Sequence, residues 1–127
     1  MKEELITFET ARLAKEKGYK IEPDIWGEYA YYKSDGLKAK GNKSFYLLKF
    51  EEEDGEVFPL TTQALLKKWL REKRFIDIVR ISPLNVFTFY LAQNTIPFEV
   101  DGEILFITEK TYEKALEKGL QEGLNLI

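Results

Sequence analysis

Thr111-Tyr-Glu-Lys-Ala-Leu-Glu-Lys-Gly-Leu-Gln-Glu-Gly-Leu-Asn-Leu-Ile127 is the stretch that decides the fold. Tyr112, Ala115, Leu116, Gly119, Leu120, Gly123, Leu124 and Ile127 recur on one stripe at helical spacing, with charges opposite. So short a helix holds in water only when its stripe is buried against the rest of the molecule. The pattern therefore predicts a packed amphipathic helix capped by Thr111. Gly119 and Gly123 sit four apart on the stripe. In an apolar span that spacing points to membrane helix dimerisation. With Glu and Lys on every turn, close packing inside a globular core is the better reading.

Upstream, Phe98-Glu-Val100 and Glu103-Ile-Leu-Phe-Ile107 flank Asp101-Gly102, a dipeptide that accepts the positive φ of a type I′ hairpin turn. Two further strands are expected at Phe75–Ile81, with Asp77 and Arg80 facing out, and at Val86–Leu91, joined through Pro83 and Asn85; Asn94 ends the second. Thr61 or Thr62 opens a helix over Gln63–Arg74. Leu65, Leu66, Trp69 and Leu70 form its expected buried face, and Lys67, Arg71 and Arg74 its far side.

Toward the N-terminus, a helix is expected from Thr7, whose hydroxyl can cap it, to Gly18, on a narrow face of Phe8, Ala11 and Ala14. Tyr19 to Pro23 connects it to an aromatic strand over 25–32. Lys33 to Ser44 reads as an exposed loop. Phe45–Phe50 reads as a strand, with Asp54-Gly55 as the hairpin turn that returns along Val57 and Phe58. Assembled, the elements predict an α+β fold in one domain, residues 1–127. It has two layers, an antiparallel β-sheet with two amphipathic helices packed on one face, plus an N-terminal helix. No internal repeat or low-complexity linker divides the chain.

Hydrophobic residues make up 44% and aromatics 14% of the 127 residues, well away from disordered compositions. Apolar runs are only a few residues long, so no transmembrane span is expected. The charged Met-Lys-Glu-Glu-Leu opening does not read as a secretion signal, and a soluble cytoplasmic protein is the expectation. Cysteine and histidine are both absent. That removes disulfides, thiolate nucleophiles, zinc sites of the usual kind and the commonest general base near neutral pH. No catalytic motif or cofactor is implied, catalysis would have to rest on carboxylates, lysines, tyrosines or a hard cation, and a non-enzymatic role is the expectation.

Net charge is −3, but the charges are segregated. Lys33, Lys38, Lys40 and Lys43 face only Asp35 within 33–43. Lys67, Lys68, Arg71, Lys73 and Arg74 face only Glu72 within 67–74. Lys38, Lys40, Lys43, Lys67, Lys68, Arg71 and Arg74 form a candidate phosphate-binding patch, and Tyr29, Tyr31, Tyr32 and Tyr46 flank its loop as candidate stacking partners. The bland reading is a solvated helix face whose cations offset the helix dipole, with the tyrosines filling the core. The acidic run Glu51–Glu56 lacks the alternate-residue spacing of a calcium loop and suits a solubilising hairpin tip. Glu22 and Asp24 beside Trp26 form a local carboxylate pair to which sequence gives no cleft. Asn42-Lys-Ser44 is a chance glycosylation sequon in a chain without a secretion signal.

Phe8-Glu-Thr-Ala-Arg-Leu-Ala-Lys-Glu-Lys-Gly18, Thr61-Thr-Gln-Ala-Leu-Leu-Lys-Lys-Trp-Leu-Arg-Glu72 and Thr111-Tyr-Glu-Lys-Ala-Leu-Glu-Lys-Gly-Leu120 together resemble a family of small uncharacterised proteins of Bacteroidetes phages and prophages. The resemblance covers about a third of the chain, and residues 25–57 depart from it. It implies an origin and an accessory role, and assigns no functional residue. The leading expectation is a small protein that binds a protein partner in that context. The alternative is a nucleic-acid-binding module using the basic face of helix 61–74 and the lysine-rich loop 33–43.

Overall fold

The computed structural model describes residues 4–23, 26–41, 56–81 and 87–127. They form an α+β fold of three helices and antiparallel strands. The chain divides into two compact units, Leu5–Thr61 and Thr62–Ile127 with the residues through Glu4. The expected antiparallel strands are accordingly shared between separate sheets. Three expected features lie outside the described residues: the strand at 45–50, the turn at Asp54-Gly55 and the turn at Pro83 and Asn85.

The N-terminal unit begins with α1, Phe8–Glu16. Thr7 caps it as its chemistry predicts, accepting a hydrogen bond from the Thr10 amide. Gly18 follows at φ 102°, a conformation that suits a residue without a side chain. The aromatic strand is shorter than the sequence suggests. β1 runs Tyr29–Tyr32, after a bend at Trp26-Gly27 where Gly27 has φ 75°. The expected loop at 33–44 also needs correction. Lys33 to Leu37 is a tight turn, closed by the Lys33 amide donating to the Leu37 carbonyl at 2.8 Å and the Leu37 amide donating to Asp35 Oδ1 at 3.0 Å. β2, Lys38–Gly41, then returns along β1, and β3, Phe58–Pro59, flanks β1 on its other side.

Both faces of β1 are covered. Tyr31 packs with Val57, Ile21, Tyr29 and Ala39. Tyr32 stacks on Phe8 of α1, ring centroids 5.6 Å apart, and Phe8 meets Phe58 at 5.3 Å. The Tyr32 hydroxyl is kept satisfied in this core by donating to the Ile6 carbonyl. Lys15 of α1 donates to the Val57 carbonyl at 2.8 Å and pairs with Glu56 at 3.3 Å. Tyr19 donates to the Thr61 hydroxyl at 3.2 Å. Burial pushes the Tyr19 hydroxyl above its ordinary pKa; the Thr61 contact opposes this and the nearby Glu22 charge adds to it.

The C-terminal unit opens with α2, Gln63–Arg74, whose cap Thr62 accepts from the Leu65 amide. Its residues bury Gln63, Leu66 and Leu70, while Leu65 is 53% exposed and Trp69 half-buried. The buried stripe is thus rotated from the expected one, because Gln63 is held inward by two side-chain hydrogen bonds. β4, Ile76–Ile81, and β5, Phe87–Gln93, pair antiparallel, Ile78 opposite Leu91 and Arg80 opposite Phe89. Asn94 and Thr95, both at positive φ, turn β5 into β6, Ile96–Pro97. β7, Glu99–Val100, and β8, Glu103–Ile104, form the hairpin at Asp101-Gly102, with φ 53° and 82° as a type I′ turn demands. β9, Phe106–Glu109, then pairs with the front half of β5.

α3, Tyr112–Asn125, lies across this sheet with Ala115, Leu116, Gly119, Leu120, Gly123 and Leu124 buried, and Thr111 caps it through the Lys114 amide. Gly119 lets the helix sit low, and Gly123 lies at ordinary contact distance. A β-carbon at Gly119 would stand 3.0 Å from Ile78 Cγ2, and one at Gly123 would stand 3.4 Å from Leu70 Cδ1 and 3.6 Å from Ile76 Cγ2. Both helices therefore pack on the sheet face that carries Ile76, Ile78, Phe89, Leu91 and Ile107. Arg80 shares that face by strand alternation, opposite in parity to Asp77, yet is exposed as expected. It sits at the rim, its guanidinium 5.0 Å from the Phe87 ring centre and 5.5 Å from that of Tyr112.

Candidate functional site

Of the cations singled out in the sequence, the structure brings three together. Lys67, Lys68 and Arg71 line one open groove of about 380 Å³ with Glu4, Gln63, Ala64, Tyr112 and Leu116. The helical repeat explains the grouping. Residues 64, 67, 68 and 71 cluster on the α2 flank beside the buried stripe, and Tyr112 and Leu116, one turn apart, face it from α3. Lys67, expected on the far side of α2, is half-buried because the stripe is rotated toward it.

Gln63 ties together the two helices that line the groove. Its Nε2 donates to the Glu113 carbonyl and to Glu117 Oε1, both at 2.9 Å, and its own amide N–H donates to the Glu4 carbonyl at 2.8 Å. These bonds lock the first turn of α2 to the first turns of α3. Lys67, Lys68 and Arg71 form no ion pair with any carboxylate among the described residues. With Glu4 as the single acid of the lining, the groove presents three cations beside Ala64, Leu116 and Tyr112.

The other candidates lie elsewhere. Arg74 stands over the Trp69 ring at 5.6 Å from its centre. Lys38 and Lys40 are exposed on β2 in the N-terminal unit, and Lys43 lies outside the described residues. Among the tyrosines meant to stack bases, Tyr31 and Tyr32 are buried and Tyr29 packs against Tyr31. Tyr46 lies outside the described residues, as do most of the acidic run 51–56, Asp24 and the sequon at 42–44.

A second surface escaped the sequence reading. The sheet face opposite the helices carries a cross-strand row, Val79 beside Tyr90 beside Phe106. A neighbouring row runs Ile81, Thr88, Thr108, its two threonine hydroxyls 3.1 Å apart. Phe106 is 53% and Ile81 40% exposed. The only advance signal was a half-legible alternation, since Ile81, Tyr90 and Phe106 each sit where a solvated face would carry a polar residue.

Among the described residues no helix is long and apolar enough to cross a membrane. Comparison with protein-family models, with curated proteins and with solved structures returns no match.

Proposed function

We propose that this chain is a small non-enzymatic accessory protein that works by binding another protein, in the phage or prophage setting its sequence resemblance implies. The observation that carries this reading is the apolar row Val79–Tyr90–Phe106, with Ile81 beside it, on the sheet face away from α2 and α3. An antiparallel sheet with one face on its core commonly turns polar side chains outward. A contiguous aromatic and aliphatic row there, rimmed by Asp77, Thr88 and Thr108, has the apolar centre and polar border of a protein-binding patch. The absence of His and Cys from the sequence supports a role without turnover.

The nucleic-acid alternative draws on Lys67, Lys68 and Arg71 in their groove. It has less support, because Tyr29, Tyr31 and Tyr32, the described aromatics it needs, are engaged in packing.

Immobilised protein, compared with its Phe106→Glu variant in quantitative capture from a Bacteroidetes host lysate, tests the proposal. The expected result is a defined protein retained by the parent and lost from a variant that keeps its circular dichroism spectrum. Equal capture by both removes the sheet face from the proposal. Substrate turnover by the pure protein, abolished by one carboxylate or tyrosine substitution, overturns the non-enzymatic reading.

A further inference from the structure

We infer that the groove between α2 and α3 receives an acidic, amphipathic segment of the partner protein; this rests on the protein-binding reading above. Lys67 and Arg71 stand four residues apart on α2, about 6 Å along its axis, with Lys68 beside them. Carboxylates one helical turn apart on a bound segment match that spacing. The lining from Gln63 to Arg71 runs about 12 Å, room for two turns of helix.

Charge and floor select the occupant together. Three cations against one lining acid, Glu4, with the Glu117 carboxylate held by Gln63 at the edge, give the lining a net positive charge on a chain whose net charge is −3. Lys67 is held half-buried with no carboxylate partner among the described residues, so an arriving carboxylate meets a cation already partly stripped of water. Beside the cations, Ala64 and Leu116 add apolar lining that an aliphatic side chain can cover. A nucleic acid would want a bare aromatic face instead. Tyr112 does not supply one, since the rings of Phe87 and Phe89 and the Arg80 guanidinium all pack against it. Gln63 keeps the two helices at fixed separation, so the groove is formed before any ligand arrives.

The test is a nuclear magnetic resonance titration of the isotope-labelled full chain with three probes. One is a twelve-residue helical peptide of glutamate and leucine with its glutamates on one stripe. The second is the same peptide with lysine for glutamate. The third is a thymidine oligonucleotide of similar length. The acidic peptide is expected to shift the amides of Ala64, Lys67, Lys68, Arg71 and Leu116, and the lysine peptide to leave them in place. The double variant Lys67→Glu, Arg71→Glu is expected to weaken the acidic peptide by at least roughly tenfold. Lys40→Glu, in the other unit, is expected to change nothing. Should the double variant lose its dispersed spectrum, the single Lys68→Glu replaces it with a smaller expected loss.

Shifts confined to other surfaces, equal response to the lysine peptide, or tighter binding of the oligonucleotide each overturn the inference. The outcomes stay separable from the parent reading. Capture that depends on Phe106 while the groove ignores the acidic peptide leaves protein binding standing and removes only the acidic segment. An acidic peptide that binds the groove while lysate capture yields nothing leaves the groove and removes the sheet face.

Discussion

In the C-terminal unit the core is aliphatic around one aromatic ring, and it closes because Gly119 lets α3 drop onto Ile78, while Gly123 stands at ordinary contact distance from Leu70 and Ile76. In the N-terminal unit the core is built from Phe8, Tyr31, Tyr32 and Phe58 on two sides of one short strand, and it needs hydrogen bonds to accommodate its hydroxyls. The first kind of core depends on shape and is felt through cavities and overlaps. The second also depends on polar satisfaction, because a buried carbonyl or hydroxyl without a partner carries the full desolvation penalty. Mutations in the two units should therefore fail in different ways.

The largest expected effect is in the C-terminal unit. Phe89 is fully buried, opposite Ile107 on the helix-covered face, with its ring 5.7 Å from that of Tyr112. Phe89→Ala is expected to cost about 3–5 kcal/mol in urea denaturation. A loss below about 1 kcal/mol would mean that the core collapses around the gap and is not close-packed.

Next comes the N-terminal unit. Tyr32→Phe keeps the ring on Phe8 but leaves the Ile6 carbonyl without its donor, and Ile6 is 1% exposed. The expected cost is about 1–3 kcal/mol, far more than the removal of one oxygen from a shape-determined core would bring. Measured stability equal to the parent's would place Tyr32 in the same class as Phe89 and dissolve the contrast.

Tyr19 gives the same argument a pH dependence. Its pKa is raised above 10.0 in the folded chain, chiefly by burial, so folding favours the neutral phenol. Its contribution is therefore complete below about pH 10 and is lost as the pH rises through the raised value. Tyr19→Phe is expected to cost about 1 kcal/mol at neutral pH through the lost Thr61 contact. It should also flatten the decline of the melting temperature above pH 10. An unchanged alkaline slope would assign that decline to other groups.

This contrast also explains what the sequence could and could not say. Thr7, Thr62 and Thr111 cap the helices they announce, and Asp101-Gly102 makes its turn, because those signals act within four residues. The α3 stripe was legible because it is buried on one side only. β1 was legible as a strand from its aromatic residues but not in its bounds, since Tyr31 and Tyr32 are buried on opposite faces and erase the alternation that would delimit it. β2 was missed because Lys38-Ala-Lys-Gly41 has no strand propensity of its own and is held by its register with β1. Lys67, Lys68 and Arg71 could be named from helix geometry. Glu4, Tyr112 and Leu116 could not, since chain folding alone brings residues from three distant stretches to that groove.

The smallest effects test the glycines, which the stripe presents as equals and the structure does not. Alanine in place of glycine inside a helix gains about 1 kcal/mol of propensity. At Gly123 the new methyl meets Leu70 and Ile76 at 3.4 and 3.6 Å, ordinary contact, so Gly123→Ala is expected to stabilise by up to about 1 kcal/mol. At Gly119 it meets the Ile78 Cγ2 at 3.0 Å. Ile78 is β-branched, 1% exposed and fixed in the sheet opposite Leu91, so it has little freedom to yield. Overpacking there outweighs propensity, and Gly119→Ala is expected to destabilise by about 1 kcal/mol net. Opposite signs from the two substitutions would show that α3 is seated by the single contact at Gly119. Equal signs would mean that helix and sheet shift together, and that the C-terminal core is less shape-determined than its packing implies.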